Sequence, residues 1–389
     1  MASPHDIQDR LLASMTKRLN IIQILPELEV GGVERGTVQI SKALVKRGHT
    51  AIVMSGGGRL VQELHALGAE HIEIPIGAKK LSSIFLIYKL MRTFVDKKID
   101  IVHSRSRLPS WLVWGALKFL PKDKRPIWVT TVHGPYSVNA YSSIMIKGDQ
   151  VIAVSNFIKR YVMENYKDAR RKSITVIPRG IEKNLHLKDF LPSDLWEKNW
   201  QQQFQLEESA KIFTIAGRLT RWKGQLDFIQ LIAGLRKKGI NAFGLIVGAA
   251  HKSNQAYESE LKVAANKYNV TPYIIFLGSR TDLMEIFSIS DCAYSLAKKP
   301  EAFGRTTIEA LSLGTPVIGY DHGGTSEILD SVFPRGKIPL NDIHTAIDRT
   351  IEILTNPPPI AENHPYTAEN MELATLRLYE LSAQQALLS

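Results

Sequence analysis

The chain has 389 residues, 44% of them hydrophobic, with 49 Lys and Arg against 38 Asp and Glu for a net charge of +11, and a single cysteine. This length allows two domains with separate cores, and the composition excludes a disulfide-stapled scaffold, a disordered chain and, for want of any apolar run of ~18 residues, a membrane-spanning protein. The charge is uneven: residues 1–190 hold 30 basic and 16 acidic side chains and the remainder 19 and 22, so the N-terminal half calls for an anionic partner, whether nucleic acid, acidic lipid or a phosphorylated acceptor.

Residues 1–18 are polar and lack the apolar core of a secretory signal, which makes a cytoplasmic location the expectation. From Asn20 short apolar runs alternate with segments of helical spacing. Strands are predicted at Asn20 to Leu25, Thr50 to Ser55, His71 to Pro75, Asp100 to His103, Ile127 to His133, Gln150 to Ser155 and Ile174 to Pro178. Such repetition gives a parallel sheet covered on both faces. The loop after the first strand carries Gly31-Gly32-Val33-Glu34-Arg35. Two later strands close on His103, followed by Arg105 and Arg107, and on His133; a histidine at the C-terminal end of a parallel strand belongs to the ligand edge of the sheet. Segments 81–98 and 108–125 mix apolar and basic side chains, among them Trp111, Trp114, Lys118, Phe119, Lys122, Lys124 and Arg125. That mixture suits either ordinary sheet-covering helices or a peripheral contact with anionic lipid.

After Pro178-Arg179-Gly180 the polar stretch Glu182 to Ser209, with Trp196 and Trp200, reads as an interdomain connection. Alternation resumes with strands predicted at Ile212 to Ala216, Gly244 to Val247, Tyr273 to Leu277, Cys292 to Leu296 and Pro316 to Gly319, which makes a second doubly wound domain. Cys292, inside a strand, is expected to be a small core residue. A helix at Ile343 to Thr355 stops at Asn356-Pro-Pro-Pro-Ile360, because proline has no amide hydrogen and restricts its neighbours. Thr367 to Leu381 forms the last helix.

Two loops of the second half carry chemistry. Ala216-Gly-Arg-Leu-Thr-Arg-Trp-Lys-Gly224 places Arg218 and Lys223 around a turn from strand to helix. Glu301-Ala-Phe-Gly-Arg-Thr-Thr-Ile-Glu309 sets two carboxylates eight positions apart around the start of another helix. There the amides of Phe303 to Thr306 and the positive helix end can hold phosphate, while the carboxylates accept hydrogen bonds from sugar hydroxyls. Taken alone, such a pair of glutamates is a loop carboxylate and a surface carboxylate; the basic loop upstream and Gly314 to Glu327 downstream argue for a sugar nucleotide.

In order and spacing these motifs resemble those of the retaining family 4 glycosyltransferases of the GT-B fold, over nearly the whole chain. Within Glu301 to Glu327 the sequence is similar to enzymes that extend the core oligosaccharide of lipopolysaccharide. The resemblance implies an α/β architecture of two doubly wound Rossmann-like domains facing a central cleft. Residues 1–188 with a returning C-terminal helix, 362–389, would form the acceptor side, and 205–361 the donor side. It also implies roles: Arg218 and Lys223 on the leaving diphosphate, Glu309 on the ribose, Glu301 on hydroxyls of the transferred sugar, and His133 near that sugar's oxygens. Phe303, Gly304, Thr306 and Thr307 would complete the cradle, Gly31 and Gly32 would line the donor from the first domain, and the loop of Arg280 would lie by the base. On the acceptor side His103, Arg105 and Arg107 would meet phosphate.

The implied partners are a nucleoside-diphosphate sugar as co-substrate, a phosphorylated glycolipid, and the anionic inner face of the plasma membrane. No cofactor is expected, and no metal, since the sequence has no Cys pair, no His-Glu-x-x-His and no Asp-x-Asp at a strand end. Two other readings remain at this point: a sugar-nucleotide epimerase on the same scaffold, and a nucleic-acid-binding protein drawn to the basic half. The second lacks any aromatic and basic RNA motif or zinc module, so no nucleic-acid partner is expected.

Overall fold

The computed structural model describes residues 17–388 except 30, 78–82, 183–189, 208 and 251–254. Much of the N-terminal polar segment, the start of segment 81–98 and part of the polar stretch after Gly180 thus lie outside the described residues. The chain divides into two compact units, residues 1–179 with 368–389, and residues 180–367.

The first unit runs β1 (Asn20–Ile24), α1 (Gly32–Lys46), β2 (Thr50–Ser55), α2 (Val61–Ala66), β3 (Glu70–Glu73), α3 (Ser83–Asp96), β4 (Ile101–Ser104), α4 (Arg107–Phe119), β5 (Ile127–Val132), β6 (Gln150–Ala153), α5 (Asn156–Asn165) and β7 (Ile174–Val176). Its strands are all parallel, in the order β3-β2-β1-β4-β5-β6-β7. Because both faces of such a sheet are covered, the strands are apolar on both sides: Ile21, Ile22, Ile24, Val53, Ile101, Val102 and Val129 are all buried. Helix ends follow local chemistry. Gly48, at φ +79, closes α1 while the amide of His49 returns to the carbonyl of Leu44 at 3.0 Å, and Ser155 caps α5 by accepting from the amide of Ile158.

The second unit runs α6 (Asp194–Phe204), β8 (Lys211–Ala216), α7 (Gln225–Lys237), β9 (Ala242–Val247), α8 (Gln255–Lys267), β10 (Ile274–Gly278), α9 (Leu283–Ser288), β11 (Cys292–Ser295), α10 (Arg305–Ser312), β12 (Val317–Tyr320), α11 (Gly323–Val332), β13 (Lys337–Ile338) and α12 (Ile343–Thr355). The sheet is again parallel, in the order β10-β9-β8-β11-β12-β13. Phe213, Phe228, Tyr294 and Leu296 lie in its core, and Cys292 is buried there with its thiol pushed up to about 12 by burial. The last helix, α13 (Ala368–Leu388), belongs to the first unit, where Leu376, Leu378 and Tyr379 join the core of Ile21, Leu25 and Ile40.

All twelve strands predicted from the sequence are present, with no end moved by more than two residues. β13 was not legible because two residues carry no periodicity; it exists through its pairing with Gly319 and Tyr320. The stretch read as an interdomain connection is corrected in its described part. Trp196, Trp200 and Phe204 recur every four residues on α6, and Trp200 packs with Leu245, Val247 and Ile286 of the second unit. In both sheets the strand order reverses once, between β1 and β4 and between β8 and β11. Sheets of this kind bind ligands outside the C-terminal ends of the strands at that switch point.

Candidate active site

At the switch point of the second unit, β8 runs into the loop Gly217 to Gly224. Gly224 has φ +82, and a Cβ there would fall 1.9 Å from the carbonyl oxygen of Leu296, so only glycine lets this loop press on the end of β11. The approach brings Lys223 to Glu301: Nζ and Oε1 are 2.7 Å apart, in side chains only 18% and 14% exposed. The same ammonium stands 4.8 Å from the centre of the Trp222 ring. Arg218 is exposed and pairs with no carboxylate among the described residues, while its carbonyl is held by Nε2 of Gln225 at 3.1 Å.

Glu301 lies in the loop that opens α10. Gly304, in the left-handed region at φ +97, caps that helix without a side chain, and the amides of Gly304, Arg305 and Thr306 donate to no backbone carbonyl among the described residues. Uncapped amides and the helix dipole make this a place for an anion. α11 packs on the same loop. The amide of Gly324 donates to the carbonyl of Glu301 at 2.7 Å, and a Cβ on Gly324 would lie 2.4 Å from Cα of Phe303. Phe303 is buried edge-on against Tyr366, Thr306 is half-buried, and the buried hydroxyl of Thr307 has no hydrogen-bond partner among the described residues. Glu309 accepts from Nε of Arg305 at 2.6 Å. Arg280, past the end of β10, forms a two-point pair with Asp282, at 2.8 and 2.5 Å, and the Trp196 indole donates to the same carboxylate at 2.7 Å. The Arg280 hydrogen bond, above all, holds the Asp282 carboxyl below its ordinary range.

In the first unit the expected site residues separate. His103 and Arg105 are corrected: both are buried inside the unit and neither is offered to an acceptor. Nδ1 of His103 meets the Tyr379 hydroxyl at 2.6 Å and Nε2 meets Oγ1 of Thr131 at 2.7 Å, which satisfies the ring. Arg105 donates twice to Oε1 of Gln23, at 3.0 and 2.5 Å. The physical reason is that β4 is an inner strand: His103 lies within it, and Arg105, one residue past its end, still donates its amide to the carbonyl of Ile24 at 2.9 Å, so both side chains stay in the core. Arg107 lies 4.9 and 5.3 Å from the ring centres of Tyr136 and Tyr141 and donates to Oγ of Ser142 at 3.3 Å.

His133 stands one residue past the end of β5. Its Nδ1 is 3.0 Å from Nη2 of Arg179, whose Nη1 donates to the carbonyl of Gly32 at the start of α1. Gly31 caps that helix with extended backbone, and a Cβ there would strike the carboxylate of Glu34 at 2.3 Å. Burial, then the charges of Arg179 and Arg105, hold the His133 imidazole well below the usual histidine range, so it is neutral at pH 7. A guanidinium only donates; Nδ1 therefore accepts and the ring proton is on Nε2, which is buried and has no partner among the described residues. Arg179, Gln23 and Trp222 had no part in the site read from sequence. The signal for Arg179 is its place just past the C-terminal end of β7. Among the described residues no three His, Cys, Asp or Glu side chains gather as a metal site.

Comparison with known proteins places this geometry. Residues 30–185 match the family described as "Glycosyltransferase Family 4" and residues 197–371 the family "Glycosyl transferases group 1". Over 200 residues the chain is 28% identical to a "Lipopolysaccharide 1,2-N-acetylglucosaminetransferase" of Salmonella typhimurium, a match spanning 50% of each chain, so only half the length of that relative is covered. Among solved structures, a glycosyltransferase from Rickettsia africae superposes with a TM-score of 0.79 at 28% identity, over 94% of this chain and 98% of that one. An Anabaena protein solved with UDP-glucose gives 0.72 at 18% identity, over 95% and 99%, and bears on the fold alone. Two parallel Rossmann-like α/β domains with these matches define the GT-B class of glycosyltransferases. The chain belongs to the family 4 glycosyltransferases.

Proposed function

We propose that this chain is a retaining glycosyltransferase that moves a sugar from a nucleoside-diphosphate sugar to a phosphorylated glycolipid or oligosaccharide, in assembly of a lipopolysaccharide core. One observation carries the reading: a shielded Lys223–Glu301 pair at the switch point of the second sheet, in loops that also bear an exposed Arg218 and the uncapped start of α10. Breaking the bond from the anomeric carbon to phosphate leaves charge on the diphosphate, and stabilising that charge is the largest catalytic demand. Arg218, Lys223 and the amides of Gly304 to Thr306 are the groups for it. A diphosphate arriving at Lys223 competes with Glu301 for the ammonium and frees that carboxylate for sugar hydroxyls. Glu309 takes the ribose hydroxyls, exchanging its bond with Arg305, and Phe303 and Thr307 shape the cradle. Nε2–H of His133 donates to an oxygen of the sugar. Retention follows when the acceptor oxygen bonds the anomeric carbon on the face the phosphate leaves, with the acceptor proton passing to a phosphate oxygen. Neither glutamate is then a nucleophile.

The basic first unit supports a phosphorylated acceptor, and the name of the Salmonella relative supports a lipopolysaccharide one. Among the described residues no helix is long and apolar enough to cross a membrane. α3 and α4 instead expose Ile84, Phe85, Tyr88 and Phe119, at 81, 64, 55 and 70%, with Lys118, Lys122, Lys124 and Arg125 also exposed. Trp111 and Trp114 are half-buried and pack edge to face on each other, so they contribute less. This surface fits a peripheral seat on anionic lipid at the cytoplasmic face. Sedimentation with anionic vesicles at low salt should carry the chain down, and a chain left in the supernatant removes the membrane seat alone.

The test of the reaction is a thermal-shift screen of hexose and heptose donors on uridine, guanosine and adenosine diphosphates. Ligand at 100 times its Kd adds about 2.7 kcal/mol. The donor found is then given phosphorylated core oligosaccharides, and release of nucleoside diphosphate should depend on acceptor. Conversion of the sugar nucleotide without such release would mean an epimerase.

A further inference from the structure

We infer that Arg179 is a positioning residue of the transfer site: by donating to Nδ1 of His133 it fixes the neutral ring in its Nε2–H form, which supplies one directed hydrogen-bond donor to an oxygen of the transferred sugar. The sugar as recipient rests on the proposed function; the fixed ring does not.

The geometry argues in three steps. First, Arg179 is anchored at two points, Nη2 on His133 and Nη1 on the carbonyl of Gly32, so one planar guanidinium ties the loop after β5 to the start of α1. A fork of this kind holds direction as well as distance, which a lysine ammonium does not. Second, the ring is kept from gaining a proton. The groups around it are Arg179, Arg105 and His103, with the Tyr136 hydroxyl 3.4 Å from the His133 amide, and none of them is a carboxylate. A second ring proton would put an N–H against the Arg179 donor. Third, Nε2–H is buried with no acceptor among the described residues. A buried donor without a partner is costly, and such groups belong where a ligand completes them. Arg179 touches His133 and Gly32, not the reacting atoms, and its effect on transfer runs through the ring it holds.

The test uses the full chain with 15N-labelled histidine. The chain has 11 histidines, and the signals of His133 are those missing from His133→Ala. Long-range proton–nitrogen spectra at pH 7 should show a neutral Nε2–H ring in the wild type. Arg179→Met should mix the two neutral forms and let the ring take a proton at higher pH, since a repelling charge has gone. Arg179→Lys, with one donor in place of a fork, should keep more of the Nε2–H form and also guards against loss of fold in the Met variant. In transfer assays with the donor found above, Arg179→Met should lower kcat ~10- to 100-fold, by analogy with the groups that orient ligating histidines, and leave the donor KM within about twofold. In a His133→Ala background the same change should cost no more than about twofold, because the two residues act as one unit. An Nδ1–H or charged ring in the wild type, a ring unchanged in Arg179→Met, or additive losses in the double variant would each overturn the inference. A chain that transfers no sugar from any donor overturns the proposed function, and the spectra alone then decide the role of Arg179.

Discussion

At the switch point of the second sheet the charged side chains stand in loops, Lys223 against Glu301 and Arg218 exposed; at that of the first, Arg105 and His103 are sealed in a network with Gln23, Tyr379 and Thr131. Both sheets have the same strand order up to their sixth strand, so topology does not make the difference. What does is where each polar residue falls relative to the end of its strand. Arg218 and Lys223 lie two and seven residues past β8, and Glu301 six past β11, carried outward by loops that glycines allow to pack closely. Gln23 and His103 lie within β1 and β4, and Arg105 just one residue past the end. A switch point marks a place for ligands, and only side chains beyond the last ladder hydrogen bond are free to use it.

The largest effect should come from removing the loop cations. Lys223→Ala and Arg218→Ala are each expected to lower kcat by roughly 10²–10³, as when one donor to a developing oxyanion is deleted. Circular dichroism should show an intact fold, because both groups lie at the surface or partly so. Acceptor-dependent release of diphosphate is the measurement; near-normal turnover in both would leave the second switch point without its proposed chemistry.

The reverse is expected in the first unit. Arg105→Met should leave Oε1 of Gln23 buried without its donor, at a cost of about 1–3 kcal/mol. With two units, urea unfolding is followed as two transitions, and only that of the first unit should move. Full stability with weakened acceptor binding would restore Arg105 to the acceptor side and break the contrast between the sheets.

The same rule explains what was legible in the sequence. Apolar runs and helical spacing located twelve strands and both charged loops of the second unit. They did not fix strand ends to one residue, and one residue decided two roles. The predicted strand Asp100 to His103 puts its histidine at the edge, yet β4 continues to Ser104 and pairs there with Thr130, which draws His103 into the core. The predicted strand Ile127 to His133 includes its histidine, yet β5 stops at Val132 and leaves His133 outside, held by Arg179. Neither Tyr379, 276 residues from His103 in sequence, nor Arg179, 46 from His133, is announced by local pattern. Such partners come from the fold.

Acid should expose the same buried ring. Burial depresses both His103 and His133 well below 6.5, the ordinary histidine value, so the unfolded chain binds protons that the folded one refuses. Their contribution is therefore fully present above about pH 6.5 and is lost as pH falls from there toward the folded values. Between pH 7 and pH 6 each such ring removes about 0.7 kcal/mol. The urea midpoint of the first unit should fall accordingly, and less steeply in His103→Gln, where one ring no longer titrates. An equal slope in that variant would show that His103 is not a buried neutral ring.

The smallest effect separates stability from binding at one atom. The Thr307 side chain is buried on the first turn of α10 and its hydroxyl meets no partner among the described residues. Thr307→Val keeps the shape and removes only a polar group that gains nothing in the fold, so unfolding should shift by no more than about 0.5 kcal/mol, toward greater stability if at all. If that hydroxyl serves the diphosphate, calorimetry should show affinity for free nucleoside diphosphate reduced threefold to fivefold, a loss of about 1 kcal/mol or less. The two readouts move independently because the hydroxyl has no role in the fold to confound them. Unchanged affinity with raised stability would confine the anion contacts of this loop to backbone amides and Lys223, and would make Thr307 part of the packing beneath the site.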